Sequence, residues 1–413
     1  MPVIHVSTSS RYGGAANAAK RLDRYLVRGG RESVLCASDC LKEAGIKGLM
    51  RLLIWSRRKL ASRIEQLLIQ LVFGRRNYCS LGLLGSGILR QLKKREDTII
   101  NLHWCTGGFV GLQEIARLSG RVVWTLHDVW PITPGIQHIH NKSRYEDGFV
   151  NGLLPFAGFK VMMANRIEEL VNLRKKEAVA NVDVFVCPSS WMLKQLQGSH
   201  LGTGRQAVVI PNAVDEEFFM RDIRNDWDED LFSIVVAGFN IEKDDNKGLD
   251  LLIDAVDLCE KDQGPKKRIL IAGGSSRYVE RGETEIVTIP YVGSAKELSG
   301  ILSSADICII PSRFENLCTV ALEAMSCGVG VIAFDMGGMP DIVDNGVNGY
   351  LIEPYKTDEL AAKIDLLSSD RALCKRLGKR AREKAFKAWH PDVIANIYDE
   401  MYTNLGKRAE NIR

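Results

Sequence analysis

No uninterrupted apolar run in these 413 residues approaches the roughly 18 residues needed to cross a bilayer. The opening MPVIHVSTSS also lacks the basic start, apolar stretch and small-residue cleavage site of a secretory leader, so a cytoplasmic protein is expected. Cysteines at zinc-ligand spacing are missing. The ten cysteines are scattered, with Cys36 and Cys40 the nearest pair, which argues against a zinc ribbon or a small disulfide framework and for reduced thiols. Neither sign of charge dominates: 55 Lys and Arg face 51 Asp and Glu, so an anionic partner must be met locally. No G-x-G-x-x-G follows the first apolar strand, which disfavours a nicotinamide cofactor. There is no low-complexity tract, and 46% hydrophobic with 26% charged residues is a composition able to bury a core. At this length one ordinary core is not enough, so two domains are expected.

The pattern that is present is strand, turn, helix, repeated. Val3 to Val6 is apolar, TSSRYGGAA is turn-rich, and AANAAKRLDRYLVRGG has helical spacing. Further strands are predicted at Ser33–Ala37, Thr98–Leu102, Val122–Leu126 and Val182–Cys187. A second series follows in AVVIPN, FSIVVAGF, RILIAGG, TIPYVG, ADICIIPS and VGVIAFD. Runs such as SIVVAG and DICIIPS are apolar at nearly every position, as strands covered on both faces are. The fold class expected is α/β, with two doubly wound domains: residues 1–205, residues 206–386, and a tail, 387–413, that breaks at His390-Pro391 and packs back on the first domain as a helix.

In such sheets ligands sit at the carboxyl ends of strands. Gly13 and Gly14 after the first strand permit close backbone approach and open a helix whose free N–H groups suit an anion; a plain tight turn is the competing reading. His127, with Asp128, follows VVWTL and is either a ligand contact or a structural cap, and His103 in NLHW shares that ambiguity. Lys247-Gly248 opens a helical segment after SIVVAGF and suits a phosphate, unless the lysine is simply solvated. Most informative is SRFENLCTVALEAMSCG, which sets Glu315 before a short apolar helix and Glu323 within it. Buried carboxylates need partners. Eight residues on the helical scale are on the order of 12 Å. Glu323 could then accept from ribose hydroxyls and Glu315 from sugar hydroxyls, with a diphosphate held at the helix start between them; structural ion pairs are the alternative.

With these residues assembled, the chain resembles the retaining glycosyltransferases of family 4. The resemblance rests on the E-x7-E of Glu315 and Glu323 inside PSRFENLCTVALEAMSCGVGVIAFDMGGMPDIVDNGVNGYLI, the GG loop, VCPSS, VIPNAVD, Lys247-Gly248 and Asp306. YGGAA and WTLHDVWPIT bring it nearer to bacterial enzymes of capsule, colanic acid or O-antigen synthesis. It implies the GT-B fold, two Rossmann-like domains facing a central cleft, and transfer of a hexose from a UDP- or GDP-sugar to a glycan acceptor with retention of configuration. The implied catalytic set is Glu315, His127 and Lys247. Donor binding would fall to Gly14, Lys243, Asn316, Leu317, Cys318, Thr319, Val320 and Glu323. Asn240 stands where the family usually has an arginine, and Lys243 is the candidate replacement charge. No D-x-D cluster lies in a suitable loop, so neither metal nor cofactor is expected. A GT-B epimerase acting on sugar nucleotides and a non-catalytic scaffold with a degenerate donor site stay open as alternatives.

Met50 to Tyr78, MRLLIWSRRKLASRIEQLLIQLVFGRRNY, combines apolar residues at helical spacing with seven cationic residues and the single acid Glu65. Such a helix suits a membrane interface with anionic headgroups, and a polyprenyl-diphosphate-linked acceptor at the inner face of the cytoplasmic membrane would call for one; an ordinary surface helix is the competing reading. Nucleic acid is disfavoured, because aromatic residues do not interleave with the arginines.

Overall fold

The computed structural model describes the chain apart from residues 12, 74–78, 93–96, 134, 136–158, 222–229, 260–264, 283 and 411–413. It divides into two compact units, Met1–Ile210 with Ala395–Arg413, and Pro211–Ile394.

The first unit is built on β1 (Val3–Ser7), β2 (Ser33–Ala37), β3 (Ile99–Leu102), β4 (Arg121–Thr125), β5 (Val184–Cys187) and β6 (Ala207–Val209). They form an all-parallel sheet in the order β2-β1-β3-β4-β5-β6. The chain leaves β1 toward one edge and returns on its other side, so the topological switch falls between β1 and β3. The sequence reading begins the second domain at residue 206, yet β6 pairs with β5 in this first sheet. The tail also divides later than expected: one helix runs Arg371–Trp389, the next Pro391–Glu410, and only from Ala395 does the chain join the first unit. Its Tyr398 and Tyr402 are buried. The Tyr402 hydroxyl accepts from Asn101 Nδ2 at 2.7 Å, and Thr125 Oγ1 lies 3.0 Å from Asn101 Oδ1 and 3.4 Å from Tyr398 Oη.

The second unit holds β7 (Leu231–Ala237), β8 (Lys266–Ala272), β9 (Arg277–Arg281), β10 (Thr284–Ile289), β11 (Ile307–Ile310), β12 (Gly330–Phe334) and β13 (Gly349–Ile352), in the order β13-β12-β11-β7-β8-β10-β9. All neighbours are parallel except the β9–β10 hairpin at one edge, which the sequence reading missed. Successive residues of β7, β11 and β12 alternate between two apolar clusters. Val235, Cys308, Ile310 and Val331 go to one, and Ile234, Val236, Ile309 and Ile332 to the other. Both faces are therefore packed, which is why these strands are apolar throughout. The switch here lies between β7 and β11.

The amphipathic stretch is a helix over Gly48–Phe73; the remainder of that reading, 74–78, lies outside the described residues. Ile54, Ala61, Ile69 and Val72 face the core with Glu65, whose carboxylate accepts from Ser80 Oγ (2.6 Å), Leu81 N (3.0 Å) and Gly82 N (3.2 Å). Its one acid is thus spent inward. Leu49, Leu53, Leu60, Ile64, Leu67 and Leu71 are all exposed, and their spacing puts them in a sector about 60° wide, roughly 120° round the helix from the buried side. Arg57, Lys59 and Arg63 are exposed beside it. No helix among the described residues is long and apolar enough to cross a membrane. All ten cysteines are free thiols.

Candidate functional site

The two loops that leave the switch strands of the second unit meet. After β7 the chain makes a 3₁₀ turn, Asp245–Lys247, and Gly248 at φ 64° begins the helix Leu249–Leu258. A Cβ at Gly248 would stand 1.9 Å from Pro311 O, so only glycine lets this turn lie against the end of β11. Asn246 Nδ2 donates to Phe314 O at 2.9 Å, Arg313 N donates to Asn246 O at 2.7 Å, and the Arg313 guanidinium takes both carboxylate oxygens of Asp250. Thus fastened, Lys247 Nζ reaches Glu315 Oε1 at 2.8 Å. Burial, the largest single influence, opposes the lysine's charge, but Glu315, Cys318 and Asp244 together outweigh it and hold the pKa above the ordinary value. The ammonium has three donors and this contact uses one.

Glu315 precedes its helix rather than belonging to it. The helix runs Thr319–Ser326 with Cys318 as N-cap, whose side chain makes no capping hydrogen bond. Asn316, Leu317 and Cys318 are buried in the turn, Thr319 and Val320 half-buried on the first helical turn, and Glu323 is 4% exposed in the middle. The helix stops as expected: Gly328 adopts φ 80°, and Val329 N bonds back to Ala324 O at 3.0 Å. From the far side Gly338 N donates to Glu315 O at 3.1 Å, and a Cβ at Gly337 would lie 1.7 Å from that same oxygen. Glu315 is therefore pinned at its backbone by one loop and at its carboxylate by another.

Lys243 lies apart from this grouping. It is exposed in a turn where its N–H and that of Asp244 bond to Asn240 O, with Asn240 itself at φ 52°. Asp306 is at the amino end of β11, where its carboxylate accepts from Ser233 N (2.6 Å) and pairs with Arg371 (2.7 Å), a strap between strands and helix rather than a ligand group.

In the first unit, Gly13 rather than Gly14 takes the unusual backbone angle, φ 92°, and Gly14 is the exposed first residue of the helix Gly14–Arg28. His127 Nε2 lies 3.0 Å from His103 Nδ1, and His103 Nε2 lies 3.0 Å from His5 Nδ1. Burial drives all three imidazoles toward the neutral form, His5 to about 3, His127 to about 4 and His103 well below its usual range, where its two neighbours add to the effect. Behind them Lys175, fully buried, donates to Trp130 O and Thr133 O and stands 4.2 Å over the Trp130 ring. Burial pulls Lys175 down to about 7 against the attraction of Asp128, and pushes Asp128 up to about 7. These two groups hold the WTLHDVWP loop in shape.

Two family models match most of the chain, Glycosyltransferase Family 4 over residues 12–218 and Glycosyl transferases group 1 over residues 227–384. This chain belongs to glycosyltransferase family 4. An uncharacterized glycosyltransferase, MJ1178 of Methanocaldococcus jannaschii, is 30% identical over 233 residues, 55% of the family 4 chain described here and 62% of its own length, so the match spans less than two thirds of that protein. The D-inositol 3-phosphate glycosyltransferase of Corynebacterium jeikeium is 26% identical over 71% of this glycosyltransferase and 72% of its own length. Among solved structures, Anabaena HepE in complex with UDP-glucose superposes with a TM-score of 0.62 at 16% identity, covering 98% and 100% of the two chains, a likeness of fold. The family 4 chain has the GT-B architecture of two Rossmann-like units.

What sequence reasoning missed in this glycosyltransferase is the support around the named groups: Asn246, Arg313, Gly337, His5 and Lys175. Only the GG of DMGGMP offered a signal, since paired glycines mark close backbone approach. For a metal, Glu216, His390 and Asp392 bring ligand atoms within 4.8 Å of one another, with His390 Nδ1 3.8 Å from Asp392 Oδ2. Asp392 is exposed.

Proposed function

We propose that this family 4 glycosyltransferase moves a hexose from a UDP- or GDP-sugar to an acceptor hydroxyl with the anomeric configuration kept. The observation that carries the reading is the Lys247–Glu315 pair at the switch between β7 and β11, next to the start of the Thr319–Ser326 helix, where the N-cap Cys318 makes no side-chain capping bond. In this reading Glu323 accepts from the ribose hydroxyls, and the amides from Leu317 to Val320 hold the diphosphate. Lys247 keeps two donors for it while Glu315 fixes the ammonium and turns its other oxygen to the sugar. Catalysis then consists of stabilising the charge that grows on the leaving diphosphate, which itself takes the acceptor's proton in a front-face attack; the protein supplies position and field. His127 is read as a contact to the sugar or phosphate, and Lys243, exposed in its turn, adds charge when the donor is bound. No metal or cofactor enters this scheme. That Anabaena HepE is solved with UDP-glucose supports the choice of donor.

The acceptor in this reading is a glycan carried on a polyprenyl diphosphate, in the making of a bacterial surface polysaccharide. Support comes from the Gly48–Phe73 helix, whose exposed leucines and flanking cations suit the anionic inner face of the cytoplasmic membrane. The name of the Corynebacterium relative favours a second acceptor class, a small phosphorylated polyol. Titration calorimetry with a panel of UDP- and GDP-sugars tests the donor reading: binding that Glu323→Ala abolishes is expected, and absence of any nucleotide binding rejects it in favour of a non-catalytic scaffold, the reading that Asn240 motivates. Mass-spectrometric product analysis with lipid-linked glycan and with polyol phosphate then separates the two acceptors.

A further inference from the structure

Glu216, His390 and Asp392 belong to the second unit and flank the two places where the chain enters and leaves it, after Ile210 and after Ile394. The sequence fixes how they meet. Pro391 restricts the residue before it to extended backbone, so the Arg371–Trp389 helix stops and His390 takes φ −55° and ψ 135°. The next helix starts at Pro391 and places Asp392 in its first turn. Glu216 opens a 3₁₀ turn, Glu216–Phe218, far upstream in the chain. Val214 N donates to Trp389 O at 3.0 Å and clips the two segments together. The His390 ring rests against Phe219 and Phe386, at centroid distances of 5.2 and 4.9 Å, so packing sets its direction.

One ligand atom from each of the three residues comes within 4.8 Å of the other two. A helix start accounts for an acid at Asp392 taken alone. It does not account for a second carboxylate and an imidazole converging on the same point, because carboxylates this close repel unless positive charge lies between them. His390 Nδ1 and Asp392 Oδ2 are 3.8 Å apart, too far for a hydrogen bond and close to the roughly 3.4 Å that separates two ligands of one tetrahedral zinc ion with bonds of about 2.1 Å. Glu216 has an interaction of its own, which a carboxylate with two oxygens can keep while it coordinates. The Asp392 side chain is 50% exposed, so an ion can enter from solvent and retain a water.

The donor set decides which ion. Calcium takes six or more oxygens, and magnesium keeps several of its waters and demands octahedral geometry. Zinc accepts one imidazole nitrogen and two carboxylate oxygens with water in the fourth place. We propose that Glu216, His390 and Asp392 form a zinc site that fastens the segment after Ile210 to the helix break at His390. The ion acts on the stability of the second unit and takes no part in the sugar transfer proposed above.

The test is calorimetric titration of zinc into the full chain after removal of metal by a chelator, with magnesium as the control ion. One zinc per chain is expected, with magnesium at least about 100-fold weaker. The melting temperature should rise by roughly 5 °C once zinc stands about 100-fold above its dissociation constant. His390→Ala is expected to weaken zinc binding about 100-fold or more and to remove that rise. Because Cys40 and Cys79 are not fully buried and could take up zinc themselves, cobalt is the second probe. Cobalt held by nitrogen and oxygen gives weak visible bands without the intense charge-transfer absorption of a thiolate, and those bands should vanish in His390→Ala. Should His390→Ala fail to fold, Asp392→Asn, at an exposed position, replaces it and is expected to weaken zinc about tenfold or more. Zinc affinity undiminished in these variants, a thiolate band with cobalt, or a melting temperature that zinc leaves unmoved each overturns the proposal.

Discussion

At the scale of single residues, the decisive contact joins positions 68 apart, Lys247 to Glu315. A charge-assisted bond from the Lys247 ammonium to a donor phosphate would be worth about 1.5 to 3 kcal/mol, so Lys247→Ala should weaken nucleotide binding roughly 10- to 100-fold, read by calorimetry, with the melting temperature little changed because a partly exposed ion pair such as Lys247–Glu315 contributes only about 0 to 1 kcal/mol to the fold. Tyr402→Phe should behave oppositely. It strips one buried hydroxyl from Asn101 and should cost about 1 to 3 kcal/mol in denaturant unfolding with nucleotide binding intact. Titration offers a third measurement. His5 binds protons near pH 6.5 when unfolded but only at about 3 when folded, so between those values the unfolded chain holds the extra proton and acid destabilises the fold. Asp128, raised to about 7, works in the opposite sense over part of that range, so the informative quantity is a difference. Stability of the unsubstituted chain should fall more steeply from pH 6.5 to 4 than that of His5→Asn, by up to about 1.4 kcal/mol per pH unit.

At the scale of elements, the Glu315 turn is trapped between two loops. Gly337→Ala places a Cβ 1.7 Å from Glu315 O at a residue whose φ is 60°, and should cost well over 1 kcal/mol and lower nucleotide binding together, a joint loss that separates it from Lys247→Ala. The exposed stripe of the Gly48–Phe73 helix makes a second element-level prediction. Leu60→Ser with Leu67→Ser should abolish sedimentation with vesicles containing anionic phospholipid and leave nucleotide binding unchanged; undiminished sedimentation would remove the membrane from the proposal. How much of this was legible beforehand follows from range. The Thr319–Ser326 helix, its glycine stop and the buried Glu323 are local, and an eight-residue window suffices to read them. Most of the strands were legible because burial on both faces makes them uniformly apolar, whereas β13, half-buried at a sheet edge, was not read. The His5–His103–His127 chain spans 98 and 24 residues and exists only because β3 returns beside β1, an ordering no local pattern encodes. The β9–β10 hairpin escaped because its outer strand is polar and exposed at a sheet edge.

At the scale of the whole molecule, the two units have separate cores: one apolar cluster serves the first, and two clusters on opposite faces of a sheet serve the second. Where the first unit ends is set by hydrogen bonding rather than by sequence order. β6 closes its sheet at one edge, and the helix that supplies Tyr398 and Tyr402 comes from beyond the entire second unit. A boundary drawn from sequence pattern alone falls short at both places: β6 pairs with β5, the strand just before it, and the tail helix bonds residues 273 and 301 positions upstream.

That discontinuity has a consequence in time. Asn101 is 301 residues upstream of the tyrosine that satisfies it, and Thr125 is 273 upstream of its own. At roughly 5 to 20 residues per second, a ribosome needs about 15 to 60 s to deliver the missing hydroxyl. During synthesis the amino-terminal sheet must therefore wait, its polar centre hydrated, while the domain translated after it has already folded.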